Sequence, residues 1–148
     1  MGLAQAPSQQ IAINQASTTN AATASGYVDT LGSDFCTIDV ITTTSNNTTN
    51  NPSVLKITEG DTTVISSASA IAIFEGDNTT SGWTIPAAVT SGDWGVKYNI
   101  DLRGRKRYLF VSVSPVTTQT ITAIGNLLSN EEAAINTTRA NVKALIEG

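Results

Sequence analysis

The sequence contains no histidine. That removes the commonest general base and the commonest transition-metal ligand. There is one cysteine, Cys36, so no intrachain disulfide can form and the redox compartment is left open. Cys36 alternates with Ile38 and Val40, the spacing of a small apolar residue on the buried face of a strand. Charged residues are scarce at 14%, against about 25% in a typical globular chain. No apolar run approaches transmembrane length, and no membrane partner is expected. The net charge of −4 argues against general nucleic-acid binding. Residues 1–24 lack both a charged n-region and an apolar h-region, so no targeting segment is read there. Met1-Gly2 opens like a myristoylation motif, but Ala6 stands at its Ser/Thr position.

What fills the gap is Thr, Ser, Asn and Ala. Such a composition favours extended structure with neutral, hydroxyl-rich surfaces. It suits exported or virion-surface β proteins and assembly subunits better than cytosolic enzymes. The 148 residues suit one domain. A chain of this size buries roughly 68–70% of its unfolded surface, enough for a core without metal or disulfide.

The eight aromatics all fall between Tyr27 and Phe110 and bracket the expected body, residues 26–128. Residues 1–25 read as an extended N-terminal arm: residues 3–25 hold no charge and no aromatic, and Ile11 and Ile13 are spaced for one face of a short strand. Such an arm gains order chiefly from a partner or a neighbouring subunit; simple disorder is the alternative. Within the body, Phe35 to Thr43 alternates with Cys36, Ile38 and Val40 on one face. Ser53 to Thr58 places Leu55 and Ile57 inward and Lys56 outward. Tyr27 to Leu31, Val64-Ile65, Ala70 to Phe74 and Trp83 to Pro86 read as shorter strands. Trp94 to Asp101 sets Val96, Tyr98 and Ile100 on one face, and Tyr108 to Ser114 sets Leu109, Val111 and Val113 on one face. Joined at Leu102 to Lys106, these two read as the clearest β-hairpin. Gln119 to Leu127 is the last strand of the body. Short strands at this spacing, separated by Gly, Asn and Asp turns, predict a mainly β chain: an antiparallel, jelly-roll-like β-sandwich or barrel.

The period changes after residue 128. Ser129-Asn130-Glu131-Glu132 matches a capping box, and Ile135, Val142 and Ile146 form a helical stripe. Residues 129–148 are therefore expected to carry a C-terminal helix, spanning roughly 130–146. Its propensity is weak enough that tertiary or intersubunit contact is needed to hold it.

Few constellations could carry chemistry. Without histidine the usual Ser or Cys triads are out. Asp29, Asp34 and Asp39 lie close in sequence, while Glu59/Asp61 and Glu75/Asp77 each bracket a glycine, which is turn chemistry. Asp61 and Asp77 sit in no EF-hand pattern, and there is no P-loop or dinucleotide fingerprint. No catalytic residue, metal ligand or cofactor is expected. Asn-x-Thr sequons at Asn46, Asn47, Asn78 and Asn136 matter only in a eukaryotic secretory pathway.

The densest feature is Asp101-Leu102-Arg103-Gly104-Arg105-Lys106-Arg107-Tyr108, which holds four of the eight cationic residues. Clamped between two strands, Arg103, Arg105, Lys106 and Arg107 have three readings. They pair within the domain, with Asp39, Asp93, Asp101 or chain ends. They meet an acidic partner or another copy of the subunit, for which the guanidinium fork is suited. Or, with Tyr108 and Phe110, they form a stacking-plus-phosphate patch for nucleic acid. The acidic balance of the rest of the chain weighs against the last, and the cluster is expected to be ordered and paired.

This stretch also resembles part of a family. Together with Gln15-Ala16-Ser17, Tyr27-Val28-Asp29-Thr30-Leu31-Gly32, Phe35-Cys36-Thr37-Ile38-Asp39-Val40, Leu55-Lys56-Ile57-Thr58-Glu59-Gly60-Asp61 and Thr84-Ile85-Pro86, it is similar to tailed-phage capsid decoration (cement) proteins, over roughly residues 10–128. The segment after Ser129 departs from that pattern. The resemblance implies a non-enzymatic β-rich subunit on the outer capsid surface of a bacteriophage virion, bound to the major capsid protein and stabilising its contacts. Homo-oligomerisation is expected, as a trimer or else a dimer. The expected protein interface comprises Arg103, Arg105, Lys106, Arg107, Ile11, Ile13, Ile135, Val142 and Ile146. The alternative is an extracellular β-sandwich binding module, carbohydrate-binding or adhesin-like, with Trp83, Trp94 and Tyr98 as an aromatic platform; the same aromatics would otherwise be core.

Overall fold

Alternation of apolar and polar residues is realised as strands along nearly the whole described chain. A computed structural model describes residues 8–20, 22–43, 52–77, 83–84, 94–128 and 144–147. The strands are β1 (Ser8–Thr18), β2 (Ala24–Asp29), β3 (Phe35–Thr43), β4 (Val54–Gly60), β5 (Ser69–Asp77), β6 (Trp83–Thr84), β7 (Trp94–Asp101), β8 (Tyr108–Ser114), β9 (Gln119–Leu128) and β10 (Ala144–Glu147). A 3-10 turn, Ile65–Ser67, stands where the sequence predicts a strand at Val64-Ile65.

Two sheets result. The first has the order β1-β9-β3-β7-β10 and the second β2-β8-β4-β5-β6. In each, the first four strands are antiparallel, and the last is a short parallel addition at the edge. The pairs are nested: β1 with β9, β2 with β8, β3 with β7 and β4 with β5. The chain therefore behaves as one long hairpin, folded over so that β1, β3, β7 and β9 fall in one sheet and β2, β4, β5 and β8 in the other. This is the mainly β, two-sheet antiparallel sandwich that the strand pattern predicts.

The core lies between the sheets. Cys36, Ile38 and Val40 from β3 and Val96, Tyr98 and Ile100 from β7 meet Leu55 and Ile57 from β4 and Leu109, Val111 and Val113 from β8, all fully buried. Each face is the one that sequence alternation selects. Tyr98 crosses the layer: its ring meets Phe74 edge-to-face at 5.8 Å, and its hydroxyl donates to the Leu55 carbonyl at 3.1 Å. A buried phenol thus keeps a partner for its polar end, and burial raises its pKa well above the ordinary tyrosine value.

Three expectations are corrected. The hairpin across Leu102–Lys106 does not form: β7 pairs with β3 and β10, β8 with β2 and β4. The connection arches from one sheet to the other. Local alternation shows that each strand has one buried face but not whether neighbours in sequence share a sheet. Second, residues 8–18 are no free arm. They form β1, paired within the chain from Ser8↔Leu127 to Thr18↔Gln119. Ile11 and Ile13 do not share a face, because the register shifts between them; Ile11 is exposed and Ile13 lies in the core. Third, the end of the expected helix is a strand: Ala144–Glu147 runs parallel to β7, with Ile146 opposite Tyr98. The unpaired edge of β7 offers backbone hydrogen bonds that a weak helix could not match. The rest of that helix, residues 129–143, lies outside the described residues.

Candidate functional site: a cation-paired end of the sandwich

One end of the sandwich is formed by the β2–β3 turn, the β4–β5 connection and the β7–β8 arch. The arch is pinned by backbone bonds. Leu102 N–H donates to Asp34 O at 3.0 Å, and Arg105 N–H to Leu102 O at 3.0 Å. The Arg107 carbonyl accepts from Thr30 N–H at 2.9 Å and from Thr30 Oγ1 at 2.6 Å. Leu102 is itself buried. Gly32 and Gly104, at φ 79° and 77°, supply the left-handed residues on which the two turns depend.

Each cation on this arch faces its own carboxylate. Arg103 makes a bidentate bond to Asp101, with Nε at 2.9 Å from Oδ1. Arg107 does the same to Asp29, at 2.9 and 2.7 Å. Lys106 Nζ lies 3.4 Å from Asp61 and donates to Ser69 Oγ at 3.2 Å, while its backbone N–H donates to Glu59 Oε2 at 3.1 Å. Arg105 is the least intimate, 4.0 Å from Glu59. Its guanidinium carbon also lies 5.9 Å from the centroid of the Phe74 ring. The guanidinium of Arg107 also lies 5.0 Å from the Tyr108 ring centroid.

The hydrogen bonds from Arg103 hold the Asp101 carboxyl down at about 2. Those from Arg107 hold Asp29 below the usual carboxylate range, against an opposing cost of burial. The same bond raises Arg107. Four cations facing four carboxylates leave this end without excess positive charge, so the phosphate-patch reading loses its electrostatic basis. Of the expected intramolecular partners, Asp101 is one; Asp39 instead pairs with Lys97, and Asp93 lies outside the described residues. Asp29, Glu59 and Asp61 were missed. They sit at or just beyond the ends of β2 and β4, and only the strand order brings them to the arch.

What this end exposes is not charge alone. The Arg103 side chain is 73% exposed and that of Arg107 45%, whereas Arg105 is 26% exposed. Leu31, on the β2–β3 turn, is 70% exposed, and Tyr27 on β2 sets its ring edge-on to Tyr108 and Phe110 at 5.6 and 6.0 Å. The exposed Arg and Tyr side chains here are of the types enriched at protein interfaces.

The remaining expected interface residues are scattered. Ile11 is exposed on the first sheet, opposite Ile124; Ile13 is 4% exposed within the core and presents nothing to a partner. Ile146 is placed by backbone pairing alone, and Ile135 and Val142 lie outside the described residues. Of the possible aromatic platform, Tyr98 is core. Among the described residues no group of three or more His, Cys, Asp or Glu side chains converges to hold a metal. No protein-family model matches the chain. No curated protein matches it either.

Proposed function

We propose that this chain is a structural, non-enzymatic subunit of a virion. It decorates the outer surface of a bacteriophage capsid and stabilises contacts between copies of the major capsid protein. The observation that carries the proposal is the nested strand order, β1-β9-β3-β7 against β2-β8-β4-β5. We read this as a jelly roll, the eight-stranded double-sheet arrangement used by viral capsid domains and also by lectins and cupins. That step is an analogy of fold, and the site must bear the functional weight. The cation-paired end supplies it: exposed Leu31 on the β2–β3 turn, Tyr27 on β2, and Arg103 and Arg107 on the pinned arch. Contacts of modest strength suffice on a lattice, because repetition multiplies them. Self-association as a trimer, or else a dimer, fits the symmetry sites of such a lattice.

The test is co-sedimentation with empty capsids, alongside mass spectrometry of purified virions with copy-number determination. Leu31→Asp and Arg103→Glu change exposed side chains and should leave the fold intact while abolishing capsid occupancy. Arg105→Glu with Arg107→Glu should abolish it too, at a cost in stability. Full occupancy by folded Leu31→Asp and Arg103→Glu proteins overturns the docking surface. Absence of the chain from virions overturns the function.

A further inference from the structure

The outer face of the second sheet carries a groove of about 300 Å³ lined by Thr23, Val54, Lys56, Thr58, Ile65, Ala68, Ser112 and Ser114. Its floor is built by register. Ser112 on β8 lies directly opposite Lys56 on β4, and Ser114 opposite Val54. These positions alternate with the core residues Leu55, Ile57, Val111 and Val113, so they face outward. Ile65 and Ala68, from the 3-10 turn and its C-terminal flank, make one apolar wall.

Ser114 Oγ in this floor is paired with Thr23 Oγ1 at 2.7 Å, but two neighbouring hydroxyls are not. Ser112 is 5% exposed and Thr58 is 8% exposed, yet neither hydroxyl has a hydrogen-bond partner among the described residues. Lys56 is the one described cation with no carboxylate within ion-pair distance. Lys97, Arg103, Arg105, Lys106 and Arg107 all have one. Glu75 is its register partner across β4 and β5 but makes no ion pair with it. Neither the Ser112 nor the Thr58 hydroxyl is sealed from solvent, so each can exchange a water for a ligand group.

We infer that this groove is a binding site for a hydroxylated carboxylate, the chemistry of one acidic monosaccharide unit. The Lys56 ammonium would take the carboxylate, and the Thr58 and Ser112 hydroxyls would exchange hydrogen bonds with ring hydroxyls. Val54, Ile65 and Ala68 would cover the carbon face. The size suits a single ring, since about 300 Å³ is the lower end for small-ligand clefts. A peptide strand is disfavoured here: β4 and β8 are both interior strands, paired on each side, and offer no free backbone edge. Inorganic phosphate is disfavoured too, with one cation available.

The probe is glucuronate, titrated into the full chain and followed by backbone amide NMR. Saturable shifts are expected at Lys56, Thr58, Ser112 and Ser114, with a Kd on the order of 1 mM. Lys56→Gln should weaken binding about tenfold or more, and Ser112→Val should weaken it without removing the dependence on Lys56. The undisturbed dispersion of the same spectra shows that each variant folds. Glucose, acetate and phosphate should each bind much more weakly. The inference is overturned if glucuronate gives no saturable shift at these residues. It is equally overturned if acetate, glucose, phosphate or an acidic peptide binds there as well as glucuronate does. Capsid occupancy plays no part in this readout, so it stands or fails apart from the virion proposal.

Discussion

The side-chain amide of Gln10 lies against the backbone of Asp29 as a strand residue would. Nε2 donates to the Asp29 carbonyl at 2.8 Å, and the Asp29 N–H donates to Oε1 at 2.9 Å. Among the described strands β2 is paired only with β8, so Gln10 covers part of its other edge, a position that otherwise invites pairing with another chain. The carboxylate of the same Asp29 holds Arg107. One residue therefore joins β1, the edge of β2 and the cationic arch.

Gln10→Ala should leave both backbone groups of Asp29 without this partner and cost about 1–2 kcal/mol. Chemical denaturation should show a lower midpoint at an unchanged slope. Gln10→Glu keeps the acceptor and loses the donor, and should fall between the two. If Gln10→Ala leaves the midpoint where it was, water replaces the amide without loss and the edge-covering role is wrong.

The bidentate pairs make the arch sensitive to acid, and the direction follows from the shifts. Asp101 is lowered from 3.8 to about 2 by its hydrogen bonds from Arg103, and Asp29 is lowered by its bonds from Arg107. A carboxyl depressed in the folded state favours folding fully above its unfolded value. That contribution is lost as pH falls through the folded value. For Asp101 the window runs from about 3.8 down to about 2, so the arch is indifferent to pH near neutrality. Carboxyl-carbon NMR should show Asp101 titrating near 2 in the native chain and closer to 3.8 in Arg103→Gln. Because both partners are substantially exposed, added salt should narrow the difference.

Gly26 reports whether β1 belongs to the sandwich. A Cβ at this position would sit 1.7 Å from the Ala12 carbonyl oxygen, a backbone atom that cannot rotate away. Gly26→Ala should therefore force β1 off β2 and cost at least the upper part of the 1–3 kcal/mol range that about one added methyl commonly brings in packed sites. Limited proteolysis should then cut within Ser8–Thr18, which the parent chain protects. If the variant keeps both its stability and its protection, the close approach of the Ala12 backbone to Gly26 is wrong.

The faces of β3, β4, β7, β8 and β9 were legible because alternation is local: Ile38, Leu55, Tyr98, Val111 and Ile121 are each fully buried. Pairing is not local. Nothing between Trp94 and Ser114 distinguishes a hairpin from an arch between sheets, so the partners Asp29, Glu59 and Asp61 of the arch could not be read. Ile11 and Ile13 show the other failure. Their spacing of two implies a shared face, but register shifts flank Ile13, and Gln15 adopts φ 45°, so the period breaks within β1. An irregularity of one residue reverses every assignment beyond it.

Cys36 gives a probe of the whole core. It is fully buried on β3, and loss of hydration pushes its thiol up to about 12, with the charge of Asp39 adding to the effect. The reactive species is the thiolate, so at pH 8 the folded chain offers neither the ionised form nor access. Thiol reagents should modify Cys36 only through opening of the sandwich, at least about 1,000-fold more slowly than in denaturant, as expected for a stable domain. The rate should rise in parallel with any destabilisation: Gln10→Ala should accelerate it modestly and Gly26→Ala strongly. Leu31→Asp, which changes only an exposed position, should leave it unchanged. Rapid modification of the parent chain under native conditions would mean that β3 is not the interior strand of its sheet, and with it the nested order of strands would fail.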